Sequence, residues 1–275
     1  MLNTGQDLNK GALRGRLPEP HPLYALLPTT VQPELHFLGV PGIRPLDTPA
    51  VQAVQEGLQQ AQRDQAFLHL SGPSGTGKTF STRALLDVMG IPHYVLGAER
   101  ARPGPQDLRA VLHTALGLEG TPPKDPGLAD ALIQQVLHTQ RPVLLFDEVH
   151  QMSHSCLEYL RYLFDAAQGL CIVLNSCTDR RTAVDVHPML TTRTCAWLTT
   201  EAIAADDMPH AATLLHPLWQ DVPSAALSDL DLRHGRGNLR RWAGATRHLQ
   251  RLLTRTGDTH PRQHHLDRLA AKLAW

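Results

Sequence analysis

Gly72-Pro73-Ser74-Gly75-Thr76-Gly77-Lys78-Thr79 is a glycine-rich loop ending in a lysine and a threonine, and its flanks decide the fold. Ahead of it, Ala66-Phe67-Leu68-His69-Leu70 is a short, mostly apolar run of the kind that forms a buried strand. Behind it, Thr82-Arg83-Ala84-Leu85-Leu86-Asp87-Val88-Met89 reads as a helix stopped by Gly90. In such a strand–loop–helix, loop N–H groups and the helix N-terminus converge on a polyphosphate. Gly72, Pro73, Ser74, Gly75, Thr76, Gly77, Lys78 and Thr79 are therefore expected to cradle a nucleoside triphosphate. Lys78 would reach the β- and γ-phosphates, and the Thr79 hydroxyl would ligate Mg²⁺. A glycine-rich turn matching by chance would lack the strand and the helix.

A second half-site follows downstream. Val143-Leu144-Leu145-Phe146 is an apolar run ending in Asp147-Glu148, the pattern of a fully buried parallel strand with carboxylates at its C-terminal edge. Open α/β sheets bind their ligands at that edge. Asp147 is expected in the Mg²⁺ shell, and Glu148 is expected to orient and deprotonate the attacking water. Acidic pairs after strands also cap helices, which is the competing reading. Together the two motifs imply triphosphate hydrolysis, although a slow or switch-like ATPase would carry the same residues.

Composition bounds the rest. A chain of 275 residues, 42% of them apolar, suits one α/β nucleotide-binding core with a smaller appendage. No run of 18 apolar residues occurs, and Met1-Leu2-Asn3-Thr4-Gly5-Gln6-Asp7 lacks the charged and apolar regions of a signal peptide. The expectation is a soluble, cytoplasmic protein that does not meet a membrane. Cys156, Cys171, Cys177 and Cys195 show no C-x-x-C spacing and are expected as buried thiols. His150 and His154 are four apart, as on one helical face, with Cys156 nearby. No third ligand pair recurs, so hydrogen-bonding histidines are the default and no zinc is expected. Net charge is zero, but from Leu232 onward ten basic residues face two acids, so the last 44 residues carry +8 and the first 231 carry −8. Such asymmetry suggests an end that faces a polyanion; an ordinary solvated helix face is the plainer alternative.

Three regions follow along the chain. Residues 1–50 hold eight prolines and little periodicity, an extended arm expected to touch a partner rather than build a core. Residues 51–200 alternate helix and strand: Ile91–Gly97 (strand), Gln106–Leu118 (helix) and Leu128–Thr139 (helix, with Leu128, Leu132 and Val136 on one face). After the Asp147 strand, a helix from Ser153 places Leu157, Leu160, Phe164 and Ala167 together, and Leu170–Leu174 and Cys195–Leu198 are further strands. This alternation implies an α/β fold, a parallel sheet between helices. Residues 201–275 switch to helices alone, a small lid with a basic C-terminal end.

The phosphate loop, the Asp147-Glu148 strand, a polar residue ending the next strand, an Arg before the last strand and a helical lid together resemble an AAA+ ATPase. Within AAA+, the chain is similar to transposition regulators of the TnsC/TniB/MuB type. Two features carry the narrower resemblance: the compact single module, and Asp147-Glu148-Val149-His150-Gln151-Met152 leading, one helix later, to Ile172-Val173-Leu174-Asn175-Ser176-Cys177-Thr178-Asp179-Arg180. It covers roughly Val51 to Trp275. It implies that Asn175 or Thr178 is the first sensor, aligning water and γ-phosphate. It implies that Arg193 is a finger reaching a neighbouring subunit's nucleotide, and that Arg240 is the lid arginine sensing its own, with Arg236 and Arg241 adjacent. It also implies ATP and Mg²⁺ as cofactors, and subunits that stack into a ring or filament on duplex DNA. These would mark a target and recruit a transposase, with a target-selection adaptor as a further partner. On the helix from Gly237, Leu239, Trp242, Leu249 and Leu253 share an apolar side. Arg240, Arg247, Arg251 and Arg255 form a basic stripe able to track phosphates without reading bases; in the family, core loops make most DNA contacts. A replication-type loader and a nucleotide-switched scaffold without DNA binding are the alternatives, and a helicase would need a second motor domain for which there is no room.

Overall fold

The computed structural model describes residues 39–97, 103–177 and 188–273. In chain order, α1 (Pro49–Asp64), β1 (Phe67–Ser71), α2 (Lys78–Val88), β2 (His93–Leu96), α3 (Pro105–Ala115) and α4 (Pro126–Gln140) lead to β3 (Val143–Phe146). A 3₁₀ turn (Val149–Gln151), α5 (His154–Ala166), β4 (Cys171–Asn175), α6 (Pro188–Thr191) and β5 (Thr194–Thr199) follow. Beyond β5 the described residues form helices: α7 (Met208–Leu215), α8 (Ser224–Leu230), α9 (Leu239–Thr256) and α10 (Gln263–Leu273). Two compact units emerge: Ala53–Gly72 with Leu85–Thr199, and residues 39–52 with Pro73–Ala84 and residues 200–273.

In the first unit the five strands are all parallel, in the order β2-β3-β4-β1-β5. Every residue of β3 and β4 is buried, which is why these strands read as unbroken apolar runs rather than alternating ones. The outer strands β2 and β5 are half-buried. α1 lies close because Gly57 has no side chain: a Cβ there would press on Leu198 and Leu68 at 2.9 and 3.0 Å. Parallel pairing puts the C-terminal ends of β1, β3 and β4 on one edge, so the segment before Gly72, Asp147 and Asn175 all leave the sheet on the same side.

Helix α4 turns a different side to the core than its leucine spacing suggests. Ala129, Asp130, Ile133 and Leu137 are buried, whereas Leu128 is 55% exposed. A polar brace sets that rotation. The Asp130 carboxylate accepts two hydrogen bonds from Arg109 of α3 (2.8 and 3.0 Å) and one from the Tyr159 hydroxyl of α5 (2.6 Å). The Arg109 guanidinium also stacks 4.3 Å from the centre of the Tyr159 ring. Burial, and then the neighbouring Asp130, push the Tyr159 phenol well above its ordinary range.

The second unit has its own core, centred on Trp219 and Trp242, whose rings meet edge to face at 5.2 Å. Each buried indole N–H has an acceptor, as it must: Trp219 donates to Thr246 Oγ1 (2.9 Å) and Trp242 to Asp231 Oδ1 (2.8 Å). Val40, Ile43 and Leu46 are buried in this core too. The last part of the proline-rich stretch is therefore integrated: Arg44 N–H donates to Leu215 O (2.9 Å), and His216 Nε2 lies 3.0 Å from Pro41 O. The proline count there masks an apolar residue at every third position.

Candidate nucleotide site

In the second unit the phosphate loop is gripped by the first turn of α9. Asn238 Nδ2 donates to Ser74 O (2.7 Å), Arg240 Nη1 to Ser74 Oγ (3.0 Å) and Arg240 N to Gly75 O (3.3 Å). Gly75 has a positive φ of 85°, and a Cβ on it would collide with the Asn238 side chain, so glycine is required twice over. The loop closes on itself through Lys78 Nζ and Thr76 Oγ1, both donating to Pro73 O (2.9 and 3.0 Å). α2 begins at Lys78, which aims its N-terminal N–H groups at the loop. Of the three arginines weighed for the lid role, Arg240 is the one on the loop; Arg241 donates to His234 O (2.9 Å), and Arg236 is exposed in a left-handed turn.

A buried carboxylate holds that turn in place. Asp231, 3% exposed, accepts from Gly237 N (2.9 Å) and from the Trp242 indole (2.8 Å). Gly237 is pressed against the Ile203 backbone, with no room for a Cβ. Asn238 then caps α9, accepting from Arg241 N (3.2 Å), while its amide nitrogen reaches the phosphate loop. Neither Asp231 nor Asn238 was picked out by the sequence reading. Asn238 had a signal, an Asn after Gly opening an amphipathic helix; Asp231, flanked by leucines, had none.

In the first unit Asp147 and Glu148 leave β3 as expected. Glu148 has φ 56°, and its N–H turns back onto Asp147 Oδ1 (3.0 Å). A left-handed conformation costs a residue with a Cβ about 1–2 kcal/mol. Fully buried Val149 anchors the 3₁₀ turn that imposes it. Gln151 Nε2 donates to Glu148 Oε2 (3.1 Å), and His150 Nε2 lies 3.3 Å from the same oxygen. His150 and His154 share no helical face: His150 ends in the 3₁₀ turn and His154 opens α5 after a break. Asn175 ends β4 fully buried, between β1 and β3, while Thr178 lies outside the described residues. Arg193, just before β5, is held by its own chain. It forms a two-pronged pair with Asp165 (2.7 and 3.0 Å) and donates to Met189 O (2.8 Å). The Asp165 carboxyl is held below its ordinary range, first of all by that hydrogen bonding.

Arg251 and Arg255 are exposed on α9 and Arg247 is half-buried. Between them, His248 is shifted down from its ordinary value by burial and then by the charges of Lys272, Arg251, Arg247 and His234, so positive charge is concentrated on this face. The Thr79 hydroxyl and the Asp147 carboxylate are each hard oxygen donors of the kind Mg²⁺ takes. Elsewhere, Asp258, His264 and His265 come together, but buried His265 is already engaged at both nitrogens, by Arg262 N (3.1 Å) and by Thr256 and Asp258 (3.1 and 3.2 Å). Among the described residues no helix is long and apolar enough to cross a membrane.

Residues 61–183 match the family described as the AAA domain. Over this span the chain is similar to that family. The matched span takes in the phosphate loop, Asp147, Glu148 and Asn175, and stops short of Arg193 and Arg240. Beyond that span the chain shares its fold with solved structures. The Thermotoga maritima RuvB Holliday junction branch migration motor is 17% identical, covering 90% of this chain and 73% of that one at a TM-score of 0.55. The Aeropyrum pernix ORC1 protein in complex with DNA is 18% identical, covering 86% and 68%, at 0.58. A Walker-type ATPase of Pyrococcus abyssi is 14% identical, covering 81% and 71%, at 0.54. At these identities the likeness is one of fold. None of the curated proteins matches the chain.

Proposed function

We propose that this protein is an AAA+ ATPase and, more narrowly, an ATP-dependent, sequence-nonspecific DNA-binding oligomer of the TnsC/TniB/MuB type. It would select transposition targets and recruit or activate a transposase. One observation carries the reading: α9 grips the phosphate loop with its first turn, and carries Arg247, Arg251 and Arg255 further along. At 1.5 Å per residue, roughly 20 Å of rigid helix joins Asn238 to Arg251. A change at the loop on nucleotide binding therefore reaches the cationic face without an intervening flexible joint. The RuvB motor is named for branch migration at Holliday junctions, and the ORC1 structure contains DNA, which supports a nucleic-acid role for this fold.

In the reaction, Lys78 exchanges the Pro73 carbonyl for the β- and γ-phosphates of ATP, and the loop N–H groups hold the remaining oxygens. Thr79 and Asp147 are the residues that would hold Mg²⁺, which would supply positive charge against that of the triphosphate. Asn175 or Thr178 aligns the attacking water. Glu148 takes a proton from that water as its oxygen bonds to the γ-phosphorus and the bond to the β–γ bridging oxygen breaks, leaving ADP and phosphate. Arg240 follows the nucleotide of its own subunit. Arg193 acts on a neighbour's, where a guanidinium neutralises charge in the transition state. To do so it must exchange the two-pronged pair with Asp165 and the bond to Met189 O for the phosphate.

The test is a binding titration on labelled duplex DNA of several sequences, with and without a non-hydrolysable ATP analogue, alongside size measurement. Analogue-dependent oligomers binding all duplexes alike are expected, with Lys78→Ala defective in both assembly and binding. Oligomers that form with the analogue yet bind no DNA at any salt concentration would sink the transposition reading in favour of a nucleotide-switched scaffold.

A further inference from the structure

We infer that Gln151 and His150 are positioning residues for the Glu148 carboxylate, holding one of its oxygens so that the other is left to receive the proton. The inference rests on the reading of Glu148 as the base. Both neighbours meet the same oxygen: Gln151 Nε2 donates to Oε2 at 3.1 Å, and His150 Nε2 stands 3.3 Å from it. The turn that brings them there is fixed independently of the carboxylate. Gln151 N bonds to Glu148 O (2.9 Å), Met152 N bonds to Val149 O (3.1 Å), and both Val149 and Met152 are buried. Glu148 thus has its backbone locked in the left-handed region and its side chain held at one end, a geometry with few remaining rotamers. A general base gains most when its orientation is fixed before the reaction rather than during it.

A second observation argues that the imidazole is more than packing. His150 Nδ1 is buried without a hydrogen-bond partner among the described residues. The carboxylate facing Nε2 favours the tautomer with its hydrogen there, leaving Nδ1 as a bare acceptor. An orphaned buried acceptor is unfavourable, and an apolar side chain would fill the same place without one. What the ring supplies that an apolar residue does not is a polar nitrogen 3.3 Å from Oε2. The cluster is short-range in sequence, Glu148 with the second and third residues after it, so it forms whenever the 3₁₀ turn forms.

The experiment compares steady-state hydrolysis by Gln151→Ala, His150→Ala, His150→Gln and the double alanine variant, with nucleotide affinity measured separately using the non-hydrolysable analogue. The double variant should lose about tenfold to a hundredfold in kcat, with KM and analogue affinity within about twofold of wild type, since only the orientation of a reacting group is lost. His150→Gln, which keeps a donor at similar reach, should recover most of the His150→Ala loss; a merely structural ring would not be replaced this way. Wild-type kcat in the double variant, with Glu148→Gln inactive, overturns the positioning role. Wild-type kcat in Glu148→Gln instead removes the base itself. Should the double variant lose its melting transition, half-buried Gln151→Ala decides alone: a several-fold lower kcat at unchanged KM supports the role, and an unchanged kcat overturns it.

Discussion

Replacing Asp231 by alanine should damage both the stability of the second unit and its hold on nucleotide. The carboxylate oxygen Oδ1 is the acceptor for two donors, Gly237 N at 2.9 Å and the Trp242 indole at 2.8 Å, and the residue is 3% exposed. Removing it strands both donors away from water. Each buried donor without a partner costs about 1–3 kcal/mol, so the pair should cost about 2–6 kcal/mol. For a unit of about 100 residues, each kcal/mol lowers the melting temperature by about 4–8 °C, so a fall of about 10 °C or more is expected. Asp231→Asn keeps an acceptor and loses the charge, and should fall in between. Exposed Asp229, paired with Arg233 at 2.8 Å, is the control, and its alanine variant should melt within about 2 °C of wild type. The assay is thermal unfolding followed by tryptophan fluorescence, to which Trp242 and Trp219 of this core both contribute. Because Gly237 leads into Asn238 and Arg240, nucleotide affinity at a temperature where the variant is still folded should also drop. Unfolding of Asp231→Ala within about 1 °C of wild type would refute the reasoning, since two stranded buried donors cannot be that cheap.

Other perturbations separate the remaining claims. Gly75→Ala should weaken nucleotide binding by at least tenfold in an analogue titration, because the new methyl meets Asn238 and φ 85° is unfavourable to it; wild-type affinity would show that the α9 grip is dispensable. Mixing Arg193→Ala with Glu148→Gln subunits should restore part of the hydrolysis each lacks alone, and failure of two assembly-competent variants to complement would place Arg193 outside a shared interface. Stability should fall as pH drops from about 7 towards 5. His216, His234 and His248 all have folded values below their ordinary 6.5, each chiefly through burial, so their neutral forms favour the folded state above 6.5 and that contribution is lost on acidification; melting curves independent of pH over this window would contradict it. Replacing Arg247, Arg251 and Arg255 by alanine should flatten the dependence of log affinity for duplex DNA on log salt by roughly 0.9 per lost phosphate contact, and an unchanged slope would move the contact to other loops.

The elements that read clearly in the sequence are those whose signal is local. β1, β3 and β4 announce themselves as apolar runs because both faces of the sheet are covered, and the phosphate loop is written in eight consecutive residues. What the sequence hides is set by partners far along the chain. Asn238 and Ser74 are 164 positions apart, and nothing in either segment names the other. The rotation of α4 follows from Arg109 and Tyr159 converging on Asp130, so a charged residue turns inward and Leu128 outward against the hydrophobic pattern. Val40, Ile43 and Leu46 are apolar at regular spacing, but the prolines between them suggest an extended arm, and only the packing around Trp219 reveals a core segment. The Arg193 position stands out as a cation before the last strand; that it rests on Asp165 depends on the turn of α5.

The left-handed backbone at Glu148 sets up a conflict with consequences for how such proteins diverge. Glycine, asparagine and aspartate are the residues most at ease at φ 56°, yet none of them delivers a carboxylate at the reach of glutamate. If Glu148 is the base proposed above, selection for turnover would keep glutamate against the preference of the main chain. Once a descendant no longer needs to hydrolyse ATP, the backbone alone decides, and the residue should drift to Gly, Asn or Asp rather than to the Gln or Ala of an engineered knockout. A lineage that has become a pure nucleotide-binding switch should carry that mark at this one position while keeping Lys78 and Asp147 intact.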